Sequence, residues 1–225
     1  MSVVTELRAQ LGDYPGRGIA VFRGDGQSTR WAYFLTGRSE ASRSRRFRTV
    51  DGGVYVEPSG ASASNDPLRH YLCFTTIEAG GSVVLGNGEQ VAHVASVIRS
   101  GGSLRAAAEG LEPEPDSLLT PRITAVLGAE AQTLTVRSLP SGGVERRIDD
   151  VLLEPHSLFV LHTYADVAGE PSGSAPAVLF ELPGGVDAAD TLWAALESDN
   201  RIMMCSGSVS DARPTRWWPP HTASV

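Results

Sequence analysis

The sequence predicts an α+β fold built in layers. Two observations carry this. Most periodic segments are short, apolar or alternating, and rich in β-branched and aromatic residues, which is the signature of strands. Helical spacing appears in only a few flanking stretches and does not alternate with every strand, so a doubly wound parallel sheet fits poorly. The chain has 225 residues with 41% hydrophobic content. That length is at the upper end of the single-domain range and can bury a sizeable core without disulfides or metals. One domain spanning 1–225 is expected, with its core over about 14–202 and a C-terminal tail over 203–225.

Taken in order, a short helix is expected over Ser2 to Leu11. Gly18 to Arg23 and Arg30 to Leu35 then read as a hairpin turned by Gly24-Asp25-Gly26. Further strands are predicted at Gly53 to Val56, His70 to Ile77, Ser82 to Leu85, Ile123 to Leu127, Gln132 to Arg137, Ser157 to Tyr164 and Ala177 to Glu181. Helices are predicted over Glu89 to Arg99, stopped by Gly101-Gly102, over Leu104 to Gly110, and over Ala188 to Ser198, opened by Asp187. Segments rich in Gly, Pro and Ser at Ser59 to Asp66, Leu111 to Ser117, Pro140 to Gly143 and Gly169 to Pro176 read as loops. The tail from Arg213 carries Trp217 and Trp218, read either as packing on the domain or a neighbouring subunit, or as disordered.

Composition excludes several classes. No lysine occurs, and all 19 basic residues are arginines, which removes Schiff-base lysines and the lysine of a Walker loop. A net charge of -7 argues against a nucleic-acid partner, which needs excess basic surface. No apolar run is long enough for a membrane span. Met1 to Leu11 lacks the basic and apolar regions of a signal peptide, so a cytoplasmic location is expected. Cys73 and Cys205 read as small buried hydrophobes. The HExxH, CxxC, GxSxG, GxGxxG and EF-hand patterns are all absent, leaving metal, redox, acyl-serine and dinucleotide chemistry unsupported.

Chemistry-bearing residues concentrate in a few places. Gly37 to Arg46 places four arginines and three serines on one loop. Planar guanidiniums grip phosphate oxygens in pairs while hydroxyls add short donors, so this loop suits a phosphate. Tyr14-Pro15-Gly16-Arg17-Gly18 combines a turn with a second arginine. Glu112-Pro113-Glu114-Pro115-Asp116 precedes Thr120-Pro121-Arg122-Ile123, setting carboxylates near an arginine at a strand start. Asn87-Gly88 reads as a turn, and His162 in His162-Thr163-Tyr164 reads as a structural histidine rather than a catalyst.

In order, these pieces resemble the archaeal-type IMP cyclohydrolase family, including its bacterial members. The resemblance rests on Tyr14 to Gly18, Tyr33-Phe34 leading into Gly37-Arg38-Ser39-Glu40 and Ser42 to Arg45, Asp66-Pro67-Leu68 before Tyr71, Asn87-Gly88, and Thr120 to Ile123. Weaker echoes are His162-Thr163-Tyr164, Trp193 and Asp199-Asn200, so it covers roughly Tyr14 to Ile202.

The resemblance implies a four-layer αββα sandwich like that of N-terminal-nucleophile hydrolases, without the N-terminal nucleophile. It implies closure of the purine six-membered ring, converting a formamido-imidazole-carboxamide ribotide into IMP and water without metal or coenzyme. Arg38, Tyr71 and one carboxylate of Glu112, Glu114 and Asp116, with Glu114 placed first, are then implied as catalytic. Arg17, Ser39, Arg43, Arg45, Asn87 and Arg122 are implied to bind the substrate. An extra Glu-Pro unit around Glu112 to Leu119 departs from the family pattern, as does the Gly169 to Pro176 loop. The implied partner is a small purine ribonucleotide, and a homo-oligomer is expected. The alternatives are a paralogue closing a related nucleotide ring in specialised nucleoside metabolism and a non-catalytic nucleotide-binding domain.

Overall fold

A computed structural model describes residues 2–24, 28–59, 70–77, 81–167, 170–211 and 213–219, with the side chains of 166–171 left out. In chain order the elements are α1 (Val3–Leu11), β1 (Arg17–Phe22), β2 (Arg30–Thr36), α2 (Glu40–Arg43), β3 (Arg45–Val50), β4 (Gly53–Pro58), β5 (Tyr71–Ile77), β6 (Ser82–Gly86), α3 (Gln90–Arg99) and α4 (Leu104–Ala108). They continue with β7 (Arg122–Leu127), β8 (Ala131–Ser138), β9 (Val144–Asp150), β10 (Ser157–His162), β11 (Ala165–Val167), β12 (Glu170–Ser172), β13 (Ala177–Glu181), α5 (Ala188–Ala195), β14 (Arg201–Ser208) and β15 (Arg216–Trp218).

Strands form a six-stranded sheet in the order β13-β10-β1-β2-β14-β15 and a seven-stranded sheet running β3 through β9 in sequence order, with β11-β12 as a separate ribbon. Every pairing is antiparallel. The chain is therefore α+β, as its strand-rich pattern predicts.

Alternation along the strands separates two faces. In β1 and β2, Ile19, Val21, Trp31, Tyr33 and Leu35 join Val54, Val56, Tyr71, Cys73, Val83, Leu85, Ile123 and Ala125 of the other sheet in one apolar cluster. The intervening Ala20, Phe22, Ala32 and Phe34 turn the other way and pack with Leu7 and Leu11 of α1 and Ala189 and Leu192 of α5. On the seven-stranded sheet, Val84, Leu134 and Val136 pack with Val91 and Val94 of α3 and Leu104 and Ala107 of α4. Cys73 and Cys205 are buried, unpaired thiols in the cluster between the sheets. Burial raises both thiol pKa values, so neither ionises near neutrality.

Several expectations are corrected. The edge strands β3 (RRFRTV) and β9 (VERRIDD) are absent from the expected strands because an edge keeps its charged side chains in water and loses the apolar signal. β14 (RIMMCSGS) was missed because Ser and Gly have weak strand preference, yet it lies inside its sheet between β2 and β15. The boundary expected at residue 202 thus falls within a strand, and the supposed tail supplies most of β14 and all of β15. Trp217 packs 5.5 Å from Phe47, and the Arg216 guanidinium lies 4.5 Å over Trp218. The Gly37 to Arg46 loop contains the one-turn α2, capped by Ser39, before β3 begins at Arg45. Part of the expected Gly169 to Pro176 loop is β12. Asp25-Gly26 of the hairpin turn, most of the Ser59 to Asp66 segment and Asp66-Pro67-Leu68 lie outside the described residues.

Truncation after Ile202 is expected to abolish cooperative unfolding, since it strips β2 of its neighbour; thermal denaturation followed by circular dichroism checks this. Trp31→Ala, at a fully buried position, is expected to cost about 3–5 kcal/mol in urea unfolding.

Candidate functional site

Antiparallel register brings distant parts of the chain to one end of both sheets. β1 starts at Arg17 opposite the end of β2, with Arg17 paired to Leu35, and Gly18 pairs with His162 at the end of β10. In the other sheet, Arg45 at the start of β3 lies opposite Pro58, and Gly86 at the end of β6 opposite Thr124. A cavity of about 240 Å³ opens at this end, lined by Tyr14, Gly16, Arg17, Thr36, Ser42, Arg45, Glu114, Asp116, Leu118 and Tyr164. Gly16 is required here: at φ +77° a Cβ would collide with Thr163 Oγ1 and the Tyr164 ring.

The wall is organised by a buried ion pair. Arg17 Nη1 donates to Glu114 Oε1 at 2.9 Å and Nη2 to Oε2 at 2.7 Å, while Nη1 also donates to the Asn87 carbonyl at 2.7 Å. Burial alone weakens the guanidinium's hold on its proton, but the charge and hydrogen bonds of the Glu114 carboxylate outweigh it, and the Arg17 pKa rises well above its ordinary value. Behind Arg17, the Tyr71 hydroxyl lies 3.0 Å from that of Tyr33. Burial raises both phenol pKa values, so both stay neutral.

A second polar chain lies beside the first. Asp116 accepts the Thr120 backbone N–H at 2.8 Å and the Thr120 hydroxyl at 2.5 Å, and the Tyr164 hydroxyl is 2.5 Å from Thr120 Oγ1. Tyr164 stacks on Tyr14 with ring centroids 5.6 Å apart, and the Arg38 guanidinium lies 4.6 Å over the Tyr14 ring. His162 supports this wall from within: its Nδ1 donates to the Tyr164 carbonyl at 2.9 Å. Burial lowers the His162 pKa to about 4, which agrees with its structural reading.

The structure gathers some of the sequence-predicted residues and separates others. Arg17, Arg45 and Glu114 line the cavity. Arg38, Ser39 and Arg43 lie on the exposed rim around α2, where Ser39 Oγ accepts the Ser42 N–H. Among the described residues, Arg38, Arg43 and Arg45 have no carboxylate partner, and Arg45 Nε is buried without a hydrogen bond. Tyr71 is behind the wall rather than on it. Asn87 spends its side chain holding β6 to β7, donating to the Pro121 carbonyl and accepting from the Ile123 N–H, each at 2.8 Å. Arg122 faces a neighbouring hollow, where it binds the Glu112 carbonyl, Gln90 and Glu89. Of the three acids, Glu112 is exposed and paired to Arg146, whereas Glu114 and Asp116 reach the cavity. Tyr14, Thr36 and Tyr164 also line the cavity, with no individual role predicted from sequence, and Ser42 does so from the arginine- and serine-rich loop. Tyr164 follows His162 by two residues, and the contact that marks it, with Thr120 Oγ1, joins residues 44 apart in the chain.

The family model described as "IMP cyclohydrolase-like protein" matches residues 14–212. No curated protein matches the chain.

Glu114→Ala would leave Arg17 buried and uncompensated, and a loss of about 3–5 kcal/mol is expected in urea unfolding. The double substitution Arg17→Met/Glu114→Leu is expected to recover most of it. His162 contributes an acid limb to stability. Its folded pKa of about 4 lies below its ordinary 6.5, so above pH 6.5 both states are neutral and nothing is lost. As pH falls, the unfolded chain gains a proton that the folded chain refuses, and about 3 kcal/mol is lost between pH 6.5 and 4. His162→Gln is expected to remove that share of the decline in a pH series of melts.

Proposed function

Because the chain belongs to the IMP cyclohydrolase-like family, we propose that it closes the purine six-membered ring, converting 5-formamidoimidazole-4-carboxamide ribotide into IMP and water. The observation that carries this reading is Arg45, a cavity-lining guanidinium whose buried Nε has no hydrogen-bond partner among the described residues. Such a group is poised for an anion, and a ribotide phosphate is the anion this reaction brings. Arg43 and Ser39 on the rim, with Ser42 on the lining, extend the cradle.

Ring closure joins two arms of one molecule, so holding them in contact supplies much of the acceleration. Arg38 is assigned to polarise the formyl or carboxamide oxygen on which charge develops. Glu114, fixed by Arg17, faces the cavity and is assigned to hold the carboxamide N–H. Tyr71 keeps Arg17 in place from behind, and Asn87 and Arg122 shape the wall through their backbone partners. Addition followed by loss of water needs no redox group. We also read the two sheets, each carrying helices on its outer face, as a four-layer αββα sandwich of the N-terminal-nucleophile hydrolase type. The three apolar clusters, one between the sheets and one under each helix pair, support that reading.

Purified protein mixed with the formamido ribotide is expected to form IMP, followed by absorbance, at a rate unchanged by chelator. No IMP above the spontaneous rate would refute the proposal. Arg45→Gln is expected to raise KM about 10- to 100-fold with little change in kcat, the worth of a charged hydrogen bond made equally to substrate and transition state.

A further inference from the structure

We propose that Tyr164, Thr120 and Asp116 form a proton relay that takes a proton from the ring-closing nitrogen and returns it to the departing oxygen. The inference rests on the reaction proposed above and names residues that reading leaves idle.

The direction of the chain follows from counting protons. A threonine hydroxyl has one hydrogen. Asp116, as a carboxylate, has none, so Thr120 Oγ1 donates to Asp116 Oδ2. Thr120 must then accept the Tyr164 proton across their 2.5 Å contact. Tyr164 thus turns its hydrogen away from the cavity and offers only lone pairs to it. A group meeting the Tyr164 oxygen in this state has to be a donor, and the attacking carboxamide nitrogen is one. If Asp116 gains a proton the whole chain reverses, and Tyr164 becomes a donor toward the same spot.

The components are held for this. Thr120 is fully buried, and its backbone N–H fixes the second Asp116 oxygen at 2.8 Å. The Tyr164 ring is stacked on Tyr14, and its carbonyl is held by His162. Burial raises the Tyr164 pKa against the pull of Thr120 and Arg17, so passing a proton through in concert is favoured over forming a free tyrosinate.

The balance is complete. The carboxamide nitrogen forms a bond to the formyl carbon as the carbonyl pair moves to oxygen. One N–H proton passes to Tyr164, the Tyr164 proton to Thr120, and the Thr120 proton to Asp116. Reversal returns a proton to the new alkoxide. The C–O bond then breaks, and the departing hydroxide takes the proton of the former formamido nitrogen, leaving water, a C=N bond and the relay in its starting state.

The test separates hydroxyl chemistry from shape. Thr120→Val keeps the volume and loses the hydroxyl, while Thr120→Ser keeps the hydroxyl and loses a methyl. With the formamido ribotide, T120V is expected to lose about 100-fold or more in kcat with KM within about twofold, and T120S to restore most of it. In mixed H2O/D2O, the wild-type dependence of kcat on deuterium content is expected to be curved, as for several protons in flight, and that of T120V linear. If T120V does not fold, Tyr164→Phe, which keeps the stack on Tyr14, carries the same expectations. A T120V kcat near wild type, a T120S protein as impaired as T120V, or unchanged curvature would overturn the relay while leaving the ring-closing reaction standing. A wild-type protein that forms no IMP overturns both.

Discussion

The bidentate pair between Arg17 and Glu114 is the interaction on which the site depends. Arg17 opens β1 in the six-stranded sheet, its Asn87 contact follows β6 in the seven-stranded sheet, and Glu114 belongs to the irregular segment between α4 and β7. One guanidinium therefore ties together two sheets and a loop with no regular hydrogen-bond ladder of its own. Two charges taken out of water repay their desolvation only when geometry is good and remaining donors are used. Here both carboxylate oxygens are engaged and a third bond goes to a carbonyl. The rigidity gained falls where the cavity needs a wall.

The distribution of arginine partners separates structural from available charge. Arg8, Arg46, Arg122, Arg137, Arg146, Arg147 and Arg216 each bond a carboxylate on the fold's own surface or rim. Arg38, Arg43 and Arg45 do not, among the described residues, and they cluster at one mouth. A chain of net charge -7 thus keeps a local positive field where an anion would enter. Tyr14, with Arg38 over its outer face and Tyr164 stacked against it, links that field to the hydrogen-bonded interior.

Legibility in the sequence followed burial. β1, β2, β6 and β7 are apolar throughout or nearly so and match their expected bounds within a residue or two, and α3 and the start of α5 do the same, while α5 ends at Ala195 rather than Ser198. β3 and β9 were not legible because edge strands present charge on both faces, and β14 was not because its neighbours, rather than its composition, make it a strand. The Arg-rich loop, Arg17 and the Glu112 to Asp116 acids were visible as clusters of charge. Their division into Glu112 on the surface, Glu114 in an ion pair and Asp116 in a hydroxyl chain was not, because residues two apart in an irregular segment point wherever the backbone turns them.

By itself, the sequence determined the fold class, the absence of lysine chemistry and the stretches in which function would concentrate, because composition and periodicity are local properties. Tertiary contacts alone set Tyr164 on the cavity with Tyr71 behind it, turn Asn87 and Arg122 into the protein's own framework, and leave Arg45 Nε without a hydrogen bond among the described residues. Those outcomes depend on which strand ends meet across two antiparallel sheets, and strand register is set by contacts between residues far apart in the chain.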